Sequence, residues 1–169
     1  MVAKKFAIAG MVLALGGCAQ LQSVKPGTPF PAVEQQFGKP SITCPLPGGD
    51  TRVIWSQQPL GETAWATEVT AAGNVGEIRQ VLTDQSFEQL SDATVWTPEK
   101  VLCAFGPPEN ISEVGLPSVR RVVWSYRYRQ AGTWHSLMYV FFDKEGQIVT
   151  QHYAGPDPMF MFDFGSDRH

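Results

Sequence analysis

Residues that build catalytic and metal sites are scarce in this sequence. Its 169 residues include three histidines and three cysteines. The histidines are too far apart along the chain for a helical metal pair, whose members lie about three to five positions apart. Neither a G-x-S-x-G nucleophile elbow nor a Walker phosphate loop occurs. We therefore find no catalytic residues, and we expect no enzyme activity, metal, cofactor or small-molecule substrate.

Positive charge is also scarce. The 13 Lys and Arg residues are outnumbered by 16 Asp and Glu residues, which gives a net charge of −3. Removal of residues 1–17, which hold two lysines and no acid, would change it to −5. An acidic chain with scattered Arg lacks the basic surface that binds nucleic acid, so we exclude that class of protein. The 43% of hydrophobic and 17% of charged residues are typical of a compact fold.

The apolar run at residues 6–15 is too short for a transmembrane helix, which needs about 20 residues. It follows Lys4 and Lys5 and precedes small residues, the pattern of a secretory signal. The segment ends in Leu-Gly-Gly-Cys at residues 15–18, which resembles a bacterial lipobox. The resemblance implies that Cys18 becomes the lipidated first residue and anchors the protein to a membrane. Because Ala rather than Asp follows, it also implies the outer membrane of a Gram-negative bacterium, facing the periplasm.

Two cysteines remain after lipidation, Cys44 and Cys103. An oxidising compartment permits a disulfide between them, and the remaining count is even. The sequence gives no distance between the two residues, and Cα atoms more than about 7 Å apart cannot be bridged. A disulfide and two small buried hydrophobic residues are therefore both open interpretations.

One short strand is written twice, as RVIWS at residues 52–56 and as RVVWS at residues 121–125. Upstream of it, FGKP at residues 37–40 matches FGPP at residues 105–108. In both copies apolar residues four apart, followed by Gly and Pro, predict a short helix that ends at the glycine. The two copies therefore indicate a duplicated structural unit.

Other segments complete the two units. Thr97-Pro98 predicts the start of the second copy's helix, and residues 84–90 (DQSFEQL) predict another short helix. Each copy then predicts three antiparallel strands separated by Gly-containing turns, with VGEIRQVLT as the third strand of the first copy. The fold class is α+β, with two tandem lobes that each pack a short helix or helix pair on a three- to four-stranded antiparallel sheet. The predicted boundaries are a signal peptide at residues 1–17, a lipidated tether at 18–24, repeats at 25–83 and 84–154, and a tail at 155–169.

A lipobox, a short helix ending in Gly-x-Pro and a meander with Trp in its first strand resemble the SmpA/OmlA (BamE-like) type of small outer-membrane lipoprotein. Duplication of the unit resembles the tandem β-lactamase-inhibitor-protein fold, whose two lobes form a concave binding surface. The resemblance covers about residues 24–154, and the chain departs from the single-lobe lipoproteins by having two lobes. It implies a non-enzymatic protein-binding or scaffold role in β-barrel assembly or envelope maintenance. The alternative is an inhibitor-like module that captures a periplasmic enzyme or a cell-wall component.

Candidates for binding a protein partner lie on the strands of the second copy. They form an aromatic row, Trp124, Tyr126 and Tyr128, and on the opposite face an arginine row, Arg127 and Arg129. An exposed aromatic row would be an apolar platform typical of binding hot spots. A buried one would turn the arginine row towards an acidic partner. Trp65 and Trp134, on second strands, leave the same choice, and the apolar tail docks on its own domain or on a partner.

Two histidines offer a third interpretation. His135 and His152 lie on predicted neighbouring strands, where a cross-strand pair would supply an acid-base or metal site. Solvent-facing strand histidines are far commoner than such pairs. An enzyme that uses these residues is therefore the least favoured of the three hypotheses.

Overall fold

A computed structural model of the chain describes residues 20–161. This part of the chain forms two lobes, each with a four-stranded antiparallel sheet and short helices, so the predicted α+β class is confirmed. Cys18 and the predicted signal peptide lie outside the described residues, as does the tail beyond residue 161. Between residues 20 and 161, no helix is long and apolar enough to cross a membrane.

The first lobe packs one helix on its sheet. Helix α1 (Phe30–Phe37) has proline in its first turn and ends at Gly38. The φ of 82° at Gly38 is one that residues with a side chain rarely adopt, so glycine stops the helix as the sequence predicts. The sheet has the order β1-β2-β3-β4. Its strands are β1 (Ile42–Pro45), β2 (Thr51–Ser56), β3 (Ala64–Val69) and β4 (Arg79–Gln80).

The second lobe begins with two helices. Helix α2 (Asp84–Glu88) is capped by Thr83, whose hydroxyl accepts a hydrogen bond from the Ser86 amide at 3.1 Å. Helix α3 (Pro98–Phe105) begins after Thr97, as predicted, and ends at Gly106. The sheet has the order β5-β6-β7-β8, and a short helix follows it. These elements are β5 (Asn110–Val114), β6 (Arg121–Gln130), β7 (Trp134–Phe142), β8 (Val149–Pro156) and α4 (Pro158–Met161).

The duplicated pentapeptides lie at the same place in the two sheets. RVIWS lies in β2 and RVVWS in β6, which are the second strands of their sheets. The predicted three-stranded meanders omit the edge strand that precedes each of them, β1 or β5. The third strand predicted at residues 75–83 is shorter and interrupted, because Arg79 and Gln80 alone form a strand there and Val75 makes an isolated bridge with Val69 of β3. The Gln80 side chain takes a place in the ladder there, accepting a hydrogen bond from the Ala64 amide at 3.0 Å.

Layers of helix and sheet alternate through the molecule. Each sheet has one face that packs against the helix preceding it in the chain, and we call this the front face. Helix α1 packs on the front face of the first sheet, where Val33 joins Val53 and Trp55 in one apolar cluster. The back face, with Ile54 and Ala66, belongs to a larger core shared with α2, α3 and the front face of the second sheet. The second lobe therefore packs its helices against the back of the first.

Two direct links hold α3 to the back face of the first sheet. Cys44 of β1 and Cys103 of α3 form a disulfide with Cα atoms 5.9 Å apart, so of the two interpretations of these residues the structure has the disulfide. Arg52 of β2 lies beside it, and its Nε donates to the carbonyl oxygen of Cys103 at 2.6 Å. This arginine satisfies a carbonyl at the end of α3 that has no partner within the helix.

Candidate functional site

The aromatic row of β6 is buried. Trp124, Tyr126 and Tyr128 are at most 8% exposed and belong to the core between the two sheets. The ring of Phe87 in α2 lies 6.1 Å from the Tyr126 ring and 5.1 Å from the Tyr128 ring, between ring centroids. The interpretation of this row as an exposed binding platform is therefore wrong, because the front face of β6 is the one that α2 and α3 cover.

The two tyrosine hydroxyls have partners inside the protein. Tyr126 donates to the carbonyl oxygen of Gly106 at 3.1 Å, and Tyr128 donates to the carboxylate of Asp84 at 2.9 Å. Burial raises the pKa of both phenols well above the ordinary value. Both therefore act as neutral hydrogen-bond donors that position α2 and the end of α3 on the sheet.

Arg127 in the arginine row is also buried, with 5% of its side chain exposed. Its Nε donates to the carboxylate of Asp157, which is fully buried and lies between β8 and α4. Glu109 lies 3.6 Å away on the other side, and burial raises the pKa of its carboxyl although Arg127 opposes that shift. The acidic partner that this row was expected to meet is thus Asp157 of the same chain.

A loop of the first lobe closes over Arg127. Gln58, between β2 and β3, makes two hydrogen bonds with the backbone of Arg127: its Oε1 accepts from the amide at 3.1 Å and its Nε2 donates to the carbonyl at 2.7 Å. The carbonyl oxygen of Pro59 accepts from the guanidinium. These contacts join the two lobes at the end of the second sheet where β6 turns into β7.

A second charged cluster lies next to this loop and centres on Glu62. Its carboxylate accepts from Nε of Arg129 at 2.7 Å and lies 2.6 Å from Nδ1 of His135. Phe160 of α4 stacks on the imidazole, with ring centroids 3.7 Å apart. His135 is therefore held between the first lobe and α4, and Arg129 is held by Glu62 of the first lobe. The partner that the structure shows for each of them is Glu62 of the same chain.

The two strand histidines do not form a pair. His152 lies opposite Val140 on the front face of the second sheet, whereas His135 lies opposite Arg129 on the back face. Within residues 20–161, no group of three His, Cys, Asp or Glu side chains is placed to hold a metal ion. The geometry that the third hypothesis needed, with His135 and His152 together, is therefore contradicted.

Trp65 lies in a groove of about 630 Å³ on the front of the first sheet. The groove is lined by Phe37 and Trp55, by polar side chains that include Gln57 and Thr63, and by residues 20–22 of the predicted tether. Trp65 is half-buried there, opposite Trp55 on the neighbouring strand. The start of the described chain thus lies beside the loop that reaches Arg127.

Most of the large exposed apolar side chains of the described chain lie at the two ends of the second sheet, and Val95, Ile111 and Tyr153 are exposed elsewhere. The near end, next to residues 20–22, carries Leu60, Trp134, Met159 and Met161, each at least 51% exposed. The far end carries Val114, Leu116, Val119 and Ile148, each at least 42% exposed. The ends are separated by the length of β6, about 30 Å at about 3.3 Å per residue. Of the predicted candidates, Trp134 is 68% exposed, and the Arg129 side chain, although paired with Glu62, is 45% exposed.

The far end has a counterpart in the first lobe. Arg121 begins RVVWS as Arg52 begins RVIWS, and both lie on the back faces of their sheets. Arg52 is used to bind carbonyl oxygens of α3. Arg121 is exposed and lines a cleft of about 360 Å³ with Val119 and Lys144. Arg121 at the far end is therefore the equivalent of Arg52, which binds the end of α3 in the first lobe.

Sequence reasoning missed Glu62, Gln58 and Asp157, which organise the near end. The placement of Asp157 between two prolines, Pro156 and Pro158, was the available signal, because a proline on each side restricts the backbone of this residue. Comparison of the chain with models of protein families, with curated proteins and with solved structures gives no match.

Proposed function

We propose that this chain is a non-enzymatic lipoprotein of the outer membrane that faces the periplasm and binds a protein at its far end. The lipobox-like sequence at residues 15–18 supports the anchor. The far end supports the binding role, since its exposed apolar side chains surround an exposed arginine, the mixture on which protein interfaces are centred. The single observation that carries the proposal is the equivalence of Arg121 with the helix-binding Arg52.

The positions of the two ends agree with this arrangement. The described chain begins at the near end, so a lipid on Cys18 would hold that end at the membrane. The far end would then project about 30 Å along β6 into the periplasm. Among the described strands, β5 pairs with β6 alone, so its outer edge also offers backbone hydrogen bonds to a partner segment.

The kind of partner follows from the first lobe. There, Arg52 binds carbonyl oxygens at the end of a helix that packs on the back of the sheet. We expect the partner to present a helix end, or an acidic group, to Arg121 and apolar side chains to Leu116 and Val119. The resemblance to SmpA/OmlA lipoproteins favours a partner from outer-membrane β-barrel assembly or envelope maintenance.

The test is recovery of the tagged protein from its own envelope in mild detergent, followed by mass spectrometry of what comes with it. Arg121→Ala and Leu116→Ser should each lose the partner, whereas Arg79→Ala, a change at an arginine that is exposed in the first lobe, should retain it. Cys18→Ala should release the protein into the soluble periplasm. Retention of the partner by both far-end variants would contradict the proposed surface, and membrane retention of Cys18→Ala would contradict the anchor.

The alternative, an inhibitor-like module, rests on a different surface. Helices α2 and α3 fill the space between the two sheets, so the candidate site for a cell-wall component is the groove at Trp65. Aromatic side chains beside amides and hydroxyls are suited to a polar ligand with an apolar face. Binding of soluble cell-wall fragments that Trp65→Ala abolishes would favour this function over protein binding at the far end.

A further inference from the structure

Four exposed apolar residues lie at the near end in segments that pass close to His135, although the side chain of Trp134 lies on the opposite face of the sheet from His135. Trp134 precedes His135 in β7, and Met159 and Met161 flank Phe160, which stacks on the imidazole. Leu60 is two positions before Glu62, whose carboxylate lies 2.6 Å from the same ring. Three separate segments of the chain therefore present Leu, Met and Trp side chains at one end of the molecule.

Two charged clusters at this end are paired internally, and the Asp84 carboxylate near the β6–β7 turn accepts hydrogen bonds from the Ala131 amide and the Tyr128 hydroxyl. Glu62 contacts both Arg129 and His135, and Asp157 contacts Arg127. A paired charge loses less on leaving bulk water than an isolated one, because its partner compensates part of the lost hydration. This end can thus approach an apolar environment without carrying an isolated charge from these clusters into it.

The predicted lipid anchor on Cys18 indicates that the apolar environment next to this end is a membrane. This step rests on the proposed function, in which Cys18 carries lipid. Gln20 is two residues from Cys18, which is at most about 7 Å of extended chain. Residues 20–22 line the groove together with Gln57 and Thr63, and these lie on either side of Leu60 in the same loop. A lipid on Cys18 would therefore hold the near end beside the bilayer surface.

We propose that the near end lies on the membrane, with Leu60, Trp134, Met159 and Met161 in the interface between headgroups and acyl chains. The composition fits that region, since Trp prefers the interface and the flexible apolar chains of Leu and Met enter it. The contact fixes the orientation of the anchored protein. It directs the far end away from the membrane, where a periplasmic partner has access.

The test uses the lipidated protein in vesicles of phosphatidylethanolamine and phosphatidylglycerol. An environment-sensitive fluorophore is attached at Leu60→Cys and, as a matched control, at Val119→Cys, since both positions are exposed apolar residues. We expect the emission of the Leu60→Cys label to shift to the blue on vesicles. Lipids brominated near the headgroup should quench at least half of its fluorescence intensity. The Val119→Cys label should keep its emission.

A second readout needs no added cysteine. Trp134→Phe should remove most of the quenching of intrinsic fluorescence by brominated lipids, and Trp96→Phe, at a buried position, should leave it. If the protein floats with vesicles while both labels respond equally weakly, this proposal is overturned and the anchor stands. If the protein does not float, the anchor fails and the proposal fails with it. A blue shift of the Leu60→Cys label that depends on protein concentration without vesicles would identify a second copy as the occupant, which also overturns it.

Discussion

Replacing Asp157 by Asn should destabilise the protein far more than its position near the end of the chain suggests. Asp157 is fully buried and balances Arg127, whose side chain is 5% exposed. The substitution keeps the size of the side chain and removes its charge. Arg127 then remains buried with Glu109, at 3.6 Å, as the nearest acid. Removing one member of a buried ion pair leaves a charge that neither water nor a partner compensates.

The cost follows from that loss. Breaking a buried pair costs about 3–5 kcal/mol, and the remaining Glu109 places the expected loss near the lower limit, about 3 kcal/mol. For a chain of this size, about 3 kcal/mol lowers the melting temperature by about 6–12 °C. Urea unfolding at pH 7, followed by circular dichroism, measures the free energy directly, and a thermal scan measures the shift.

The matched control is a surface pair of the same chemistry. Arg120 and Glu113 lie 2.9 Å apart with side chains 54% and 56% exposed, so Glu113→Gln should cost less than about 1 kcal/mol. The double variant Arg127→Met/Asp157→Leu should be more stable than Asp157→Asn, because it leaves no fully buried charge unpaired and the remaining acid, Glu109, keeps 17% of its side chain exposed to water. Equal losses for Asp157→Asn and Glu113→Gln would refute the reasoning.

Two further predictions concern other parts of the fold. The Cys44→Ala/Cys103→Ala variant should lose about 4 kcal/mol in the chain-entropy model, because the disulfide joins residues 59 positions apart; a thermal scan of the oxidised wild type that matches the variant would contradict this. Burial lowers the pKa of His152 below its ordinary value of about 6.5. Between that value and the lowered pKa, His152 is protonated in the unfolded chain and neutral in the folded one. Stability is therefore lost as the pH falls through the lowered pKa. In His152→Gln the loss between pH 7.5 and 5.5, read from urea midpoints, should be smaller; an equal loss would show that His152 does not contribute.

The sequence predicts the helices and the duplication better than it predicts the surface. Helix ends are local, and Gly38, Thr97 and Gly106 mark them within a few residues of the chain. The sequence poses the question of which face of β6 is exposed, but in the structure the middle of this strand is buried on both faces. Helices α2 and α3 cover one face, and the contacts around Arg127 cover the other. From sequence, an arginine such as Arg127 is predicted to lie on the surface. It is buried here because it pairs with Asp157, which lies 30 positions away in the chain.

The duplication also explains why a buried ion pair lies where it does. In the first lobe the back face of the sheet receives α3, so apolar Ile54 meets the helix and Arg52 binds its end. The second sheet has no third repeat within the described residues to cover its back face, and terminal units of a repeat array need a polar outer side. Arg127 lies on this back face where the first lobe has an apolar contact with α3, and Asp157 and the Gln58 loop neutralise and bury it. Arg121 lies at the far end of the same face and is exposed, whereas its counterpart Arg52 in the first lobe binds the end of α3. The second lobe is therefore closed at the near end by its own chain, and this is why we propose its far end as the place where another protein binds.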